Sequence, residues 1–263
     1  MDSEVRALAG KGSGEDMMLA LEADTEAYAG HLKKARELSR RAVELAQKSE
    51  LAEPAAIWQG LAALREAAFG NREEARKGAE ESLRFSAESR DVQALAALVL
   101  ARAGDQHGAQ AILDDVRARY VSNTIVQSVW LPTIRAQSEL LQKNPQGALR
   151  LLEAAAPYDR GQTIGNLSNC CLLPIYLRGE AYLAAGQGVQ AMAEFQKILD
   201  DRGVVVNCWS GALARLGQAR AQALAGYKTA ARSSYEAFLK SWKDADADLP
   251  ILKAARSEYA KLK

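Results

Sequence analysis

The sequence predicts an all-α fold, a right-handed solenoid of about six helix pairs that ends in a capping helix. Two observations point there. Of 263 residues, 51 are alanine, whereas Phe, Trp and Tyr together number 16. Alanine is the strongest helix former and the smallest side chain that still packs. A sandwich or barrel would demand more β-branched and aromatic residues. The second observation is repetition. Six times an apolar helical pattern meets a short break and resumes: Ala29-Gly30-His31, Phe69-Gly70-Asn71, Ala103-Gly104-Asp105, Lys143-Asn144-Pro145, Ala185-Gly186-Gln187 and Ala225-Gly226-Tyr227.

With Gly30, Gly70, Gly104, Lys143, Gly186 and Gly226 taken as equivalent, two further columns stay in phase. Five residues after each marker stands an alanine: Ala35, Ala75, Ala109, Ala148, Ala191 and Ala231. Seven residues before each stands a small residue: Ala23, Ala63, Ala97, Ala136, Gly179 and Ala219. Two helices joined by a tight turn approach to about 8–10 Å where they cross, and only small side chains fit at that point.

The units follow in order. A polar, glycine-rich segment over 1–14 is expected to be flexible, and the first unit runs over about 16–50. The second (54–88) and third (90–121) follow, with Pro54 near the start of a first helix, where a missing amide is tolerated. Pro132 and Pro174 play the same part in the fourth unit (124–157) and the fifth (170–201). Two loop-like insertions interrupt the series, one between Tyr158 and Asn169 and one from Asp201 to Gly211. The sixth unit covers 210–242. A final amphipathic pattern over 248–262 places Leu252, Ala255, Tyr259 and Leu262 on one face. It is expected to cap the solenoid, whose last unit would otherwise expose its core. Asp244, Asp246 and Asp248 stand just ahead of it, where carboxylates would cap its N-terminus and favour its dipole.

The fifth unit carries Gly179-x2-Tyr182 followed by Ala191-x3-Phe195, the order and spacing of the tetratricopeptide repeat. The chain therefore resembles that family, with Ile175 at the usual early tryptophan and no closing proline. Longer segments resemble one subgroup: Glu15 to Tyr28, Asn123-Thr-Ile-Val-Gln127 with Leu131-Pro-Thr-Ile-Arg135, Ala156-Pro-Tyr158, Glu194 to Asp200, and the ending Trp242-Lys-Asp-Ala-Asp with Pro250-Ile-Leu-Lys. They are similar to the C-terminal repeat regions of acidobacterial-type eukaryotic-like serine/threonine kinases and winged-helix regulators. The resemblance implies the interaction or sensory region of a larger bacterial signalling protein. It implies no kinase activity here, because Ser89-Arg90-Asp91 lacks the histidine of the catalytic loop, and no glycine-rich loop is present.

Chemistry is sparse. Charge is balanced at 34 basic and 33 acidic residues, which disfavours direct nucleic-acid binding, and no apolar run approaches a membrane span. Gly186-Gln-Gly188-Val-Gln-Ala191 matches a loose dinucleotide fingerprint but follows a helical pattern where a strand is required. The carboxylates of 244–248 lack the glycine and glutamate of a calcium loop. His31 and His107 lie in turns of different units, so no metal and no cofactor is expected. Cys170, Cys171 and Cys208 suggest neither a disulfide framework nor a zinc site. Unpaired thiols lean towards the cytoplasm, although a membrane helix ahead of these repeats in a parent chain would place them outside.

These features lead to a non-enzymatic module whose partner is a protein or peptide. In the family that the chain resembles, first helices line a concave groove through repeat positions 2, 5, 9, 12 and 13, with the small residue as position 8. That implies Asp24, Tyr28, Leu64, Arg102, Trp130, Thr133, Gln137, Tyr176, Glu180 and Arg220 as groove residues. Aromatics and arginines are the side chains that most often anchor a partner. The alternative is a regulatory half, which binds a small ligand to control an effector domain of a kinase or transcription factor.

Overall fold

The computed structural model describes residues 14–160 and 171–262. All but Gly14 of the segment expected to be flexible, and most of the insertion between Tyr158 and Asn169, lie outside them. Among the described residues there is no strand. Helices α1 (Glu15–Tyr28) and α2 (Leu32–Lys48) form the first pair, α3 (Ala52–Phe69) and α4 (Arg72–Phe85) the second, and α5 (Arg90–Ala103) and α6 (Gln106–Arg119) the third. The fourth comprises α7 (Leu131–Leu141) and α8 (Pro145–Leu152), the fifth α9 (Leu173–Ala184) and α10 (Gly188–Asp200). After the short α11 (Arg202–Val205), the sixth pair is α12 (Trp209–Leu224) and α13 (Lys228–Ser241), and α14 (Pro250–Ala260) caps it. Each helix packs on its partner and successive pairs pack on one another, which makes a solenoid of helix pairs.

The six breaks share one geometry. All six markers have positive φ: 84° at Gly30, 95° at Gly70, 99° at Gly104, 75° at Gly186, 83° at Gly226 and 60° at Lys143. Lys143 therefore takes the conformation that glycine serves elsewhere, at a steric cost to its Cβ. Each marker amide donates to the carbonyl three residues back, and the next amide to the carbonyl five residues before it, as Gly186 to Leu183 and Gln187 to Tyr182 do. This is the Schellman motif, which satisfies the last carbonyls of a first helix while reversing the chain.

Both small-residue columns are interior. The six alanines after the breaks are fully buried, and those before the breaks are at most 2% exposed. At Gly179 a Cβ would fall 2.7 Å from the Phe195 ring, so only glycine admits that ring to the helix crossing. Pro132 is the second residue of α7, but helical backbone already runs ahead of it through a π turn, Val126–Trp130. A proline ring crowds the carbonyl four residues back, and the wider π turn relieves this.

The two ends of the solenoid meet. Asn207 donates to the Leu21 carbonyl (2.8 Å) and to Thr25 Oγ1 (2.9 Å), and a Cβ at Gly211 would lie 3.1 Å from the Tyr28 ring. The stretch from Asp201 to Gly211, expected to be a loop, is thus partly helical and forms one clasp on α1. The second clasp is the linker after α13. Trp242, 1% exposed, meets Phe69 edge-on and Phe238 at a tilt, and its indole donates to the Tyr28 carbonyl at 3.0 Å. Asp246 corrects a further expectation. Its carboxylate accepts from the Lys33 amide at 2.8 Å, so it caps α2 in the first unit, whereas Leu249 leads into α14 with no side-chain cap. Lys33 also pairs with Asp248 at 3.3 Å, and this pairing, after a hydrogen bond from its own amide, lowers the Asp248 pKa.

The cysteines need the largest correction. Cys171 and Cys208, both buried, form a disulfide across 37 residues with Cα atoms 5.3 Å apart. The fold brings the start of α9 to the residue before α12, a meeting of adjacent units that cysteine spacing alone does not reveal. With two of the three thiols paired, the inference of a reducing compartment loses its premise.

Candidate functional site

The inward positions of the first helices divide into those that the closure consumes and those that it leaves open. Asp24, half-buried, accepts from the guanidinium of Arg65, which is buried. Burial raises the Asp24 pKa, and the charge of Arg65 opposes this. Tyr28 supports both clasps, while Leu64 and Trp130 are core. Thr133 is buried and returns its hydroxyl to the Val129 carbonyl. Tyr176 lies edge-on between Phe195 (5.8 Å) and Trp209 (5.1 Å). Arg220 is held by Glu258 of α14 through two bonds of 2.8 and 2.9 Å, and Tyr235 adds a third to the same carboxylate.

Arg102, Gln137 and Glu180 behave differently. They come from α5, α7 and α9 and converge on one point. Arg102 donates to both Glu180 oxygens (2.8 and 2.7 Å) and to Gln137 Oε1 (2.8 Å). Its guanidinium also lies 5.6 Å from the Tyr176 ring and 5.8 Å from that of Trp209, within reach of both π faces. Burial alone would lower the Arg102 pKa; Glu180 outweighs it and holds the guanidinium above its ordinary value. Its Nε has no partner and is sealed from solvent.

Above this cluster lies a cavity of ≈ 540 Å³. Its polar floor is Arg102, Gln137 and Glu180; its walls are Ala67, Leu140, Leu141, Leu183 and Ala184; Gly70 and Arg72 stand at its edge. Gln137 and Glu180 occupy repeat position 9. Ala67, Leu140 and Leu183 occupy position 12, and Arg102, Leu141 and Ala184 position 13. Four consecutive first helices therefore build one hollow from equivalent positions near their C-terminal ends. The leucine wall was missed in the sequence because a leucine on a helix is by default a core residue, but repeat register places all three leucines in the groove.

A second cavity, of ≈ 570 Å³, lies between α2, α3 and α4 on the opposite side of the pairs. Its charged groups satisfy one another, as Arg36 with Glu66 (2.6 and 2.8 Å), Arg40 with Glu44 and Gln59 with Glu81 show. Among the described residues, no group of three or more His, Cys, Asp or Glu side chains is placed to hold a metal ion. No helix of the described residues is long and apolar enough to cross a membrane.

No family model matches the sequence, and no curated protein matches it either. Among solved structures, the crystal structure of yeast Tom70 is similar, at 11% sequence identity and a TM-score of 0.48. The match covers 88% of this chain and 48% of the Tom70 chain, so this chain spans about half the length of that protein.

Proposed function

We propose that the chain is a non-catalytic protein-interaction module that binds a peptide segment of its partner in the concave hollow above Arg102, Gln137 and Glu180. One observation carries this reading: four successive units contribute equivalent positions to a single cavity, mostly apolar in its walls and with a fixed polar floor. Pockets of about 300–1,000 Å³ with apolar walls and a few placed polar groups are the usual form of a binding site. The resemblance of Glu15–Tyr28 and of the closing stretch to repeat regions of bacterial signalling proteins supports a place for the module in a larger signalling chain.

The test is a peptide library panned against the chain, with hits measured by titration calorimetry. Leu141→Lys combined with Leu183→Lys puts two charges into the wall and is expected to weaken binding of a hit at least tenfold. Because both leucines line an open hollow, the melting temperature should move little. Hits that bind the double variant as well as the parent would remove the cavity from the reading. The volume also suits a small molecule, and a library without hits beside a metabolite that binds would favour the regulatory alternative.

A further inference from the structure

The cavity also states which chemistry it accepts. The charges of its floor are already paired: both Arg102 Nη groups are engaged by Glu180 and Gln137, and Nε is inaccessible. A charged group pushed to the bottom would find no unpaired counter-charge and would lose its own water. The walls are leucine and alanine on all sides. The part of the ligand that enters is therefore aliphatic.

The edge has the opposite character. Arg72 is exposed and forms no ion pair among the described residues, since neighbouring Glu73 and Glu74 are taken by Arg76 and Lys77. It is also the first residue of α4, where the helix dipole repels a cation. Beside it, a Cβ at Gly70 would lie 3.0 Å from Pro250, so the α14 N-terminus, which no side chain caps, reaches the same edge. Arg72 thus leaves an unpaired positive charge next to an apolar hollow.

We infer that the segment bound here carries a leucine-type side chain flanked by a carboxylate, so that the aliphatic group fills the hollow and the acid meets Arg72. This inference rests on the peptide-binding reading above. Three labelled peptides of equal length test it by fluorescence anisotropy: one leucine between acidic residues, the same leucine between lysines, and alanine between acidic residues. The acidic leucine peptide should bind about fivefold tighter than the basic one, the range of an exposed ion pair, and about tenfold tighter than the alanine peptide. Arg72→Glu, an exposed substitution that leaves the core intact, should reverse the charge preference. Equal binding of acidic and basic leucine peptides, unchanged in Arg72→Glu, would overturn this inference and leave peptide binding standing. No binding by any of the three, beside binding of a free branched-chain carboxylic acid, would overturn both.

Discussion

The end units and the middle units carry the same register on their first helices yet put it to different uses. In units four and five, positions 12 and 13 keep Leu140, Leu141, Leu183 and Ala184 open to a cavity. In the first unit Tyr28, also at position 13, is occupied by Trp242 and the Gly211 backbone. In the sixth, Arg220 at position 9 is occupied by Glu258 of the cap. The difference comes from connections. Within pairs, six near-identical turns reverse the chain tightly and leave nothing over to fill the hollow. Between units, the irregular stretches over 201–208 and 242–249 are long enough to reach the far end of the molecule and seal it. A repeat position is thus an address, and what occupies it is decided by segments outside the repeat.

Three perturbations would break or sharpen this contrast. Trp242→Ala removes the largest fully buried side chain of the closure, and a cavity of that kind costs about 3–5 kcal/mol. Denaturant melts should show a lower midpoint; an unchanged midpoint would mean that the second clasp contributes nothing. Reduction of the Cys171–Cys208 bond, or Cys208→Ser, should cost about 2–4 kcal/mol for a closed loop of this length. The loss should be accompanied by faster hydrogen exchange in α1, whose carbonyl at Leu21 is held by the residue next to Cys208. The smallest effect is alkaline. Burial, reinforced by Glu180 and Glu258 respectively, raises the Tyr176 and Tyr235 pKa values above the ordinary phenol range. A raised folded-state pKa stabilises fully below the unfolded value of about 10 and is lost as pH climbs towards the folded one. Thermal stability should therefore decline above about pH 10, and Tyr235→Phe should flatten that decline without affecting the Tyr176 share.

Much of the architecture is legible in the residues. The breaks and both small-residue columns report local constraints, the φ sign of a turn and the clearance of a helix crossing, and these act within a dozen residues. Lys143 is the instructive case, since register alone assigned it to a glycine position and its φ of 60° agrees. The closure is not legible, because Asn207 meets Thr25 across 182 residues and Asp246 meets Lys33 across 213. Nothing local distinguishes an aspartate that caps the next helix from one that caps the first unit. The disulfide falls between these cases: Cys170 and Cys171 are adjacent, and only the packing of α9 on α12 selects a partner for Cys208. Among the groove residues, charge and aromaticity drew attention to Tyr176 and Trp130, which are sealed, and away from Leu141 and Leu183, which line the opening.

Joining the first unit to the last also changes how the chain comes apart. A linear array of repeats can fray, because a terminal unit has one neighbour and detaches by breaking one interface. Here the first and last units each have a second neighbour, so no unit is terminal in the energetic sense. Peeling α1 away costs its contacts with α2 and also those with Asn207, Gly211 and Trp242. The molecule has turned a one-dimensional chain of nearest-neighbour couplings into a cycle, and a cycle opens only when two interfaces fail together.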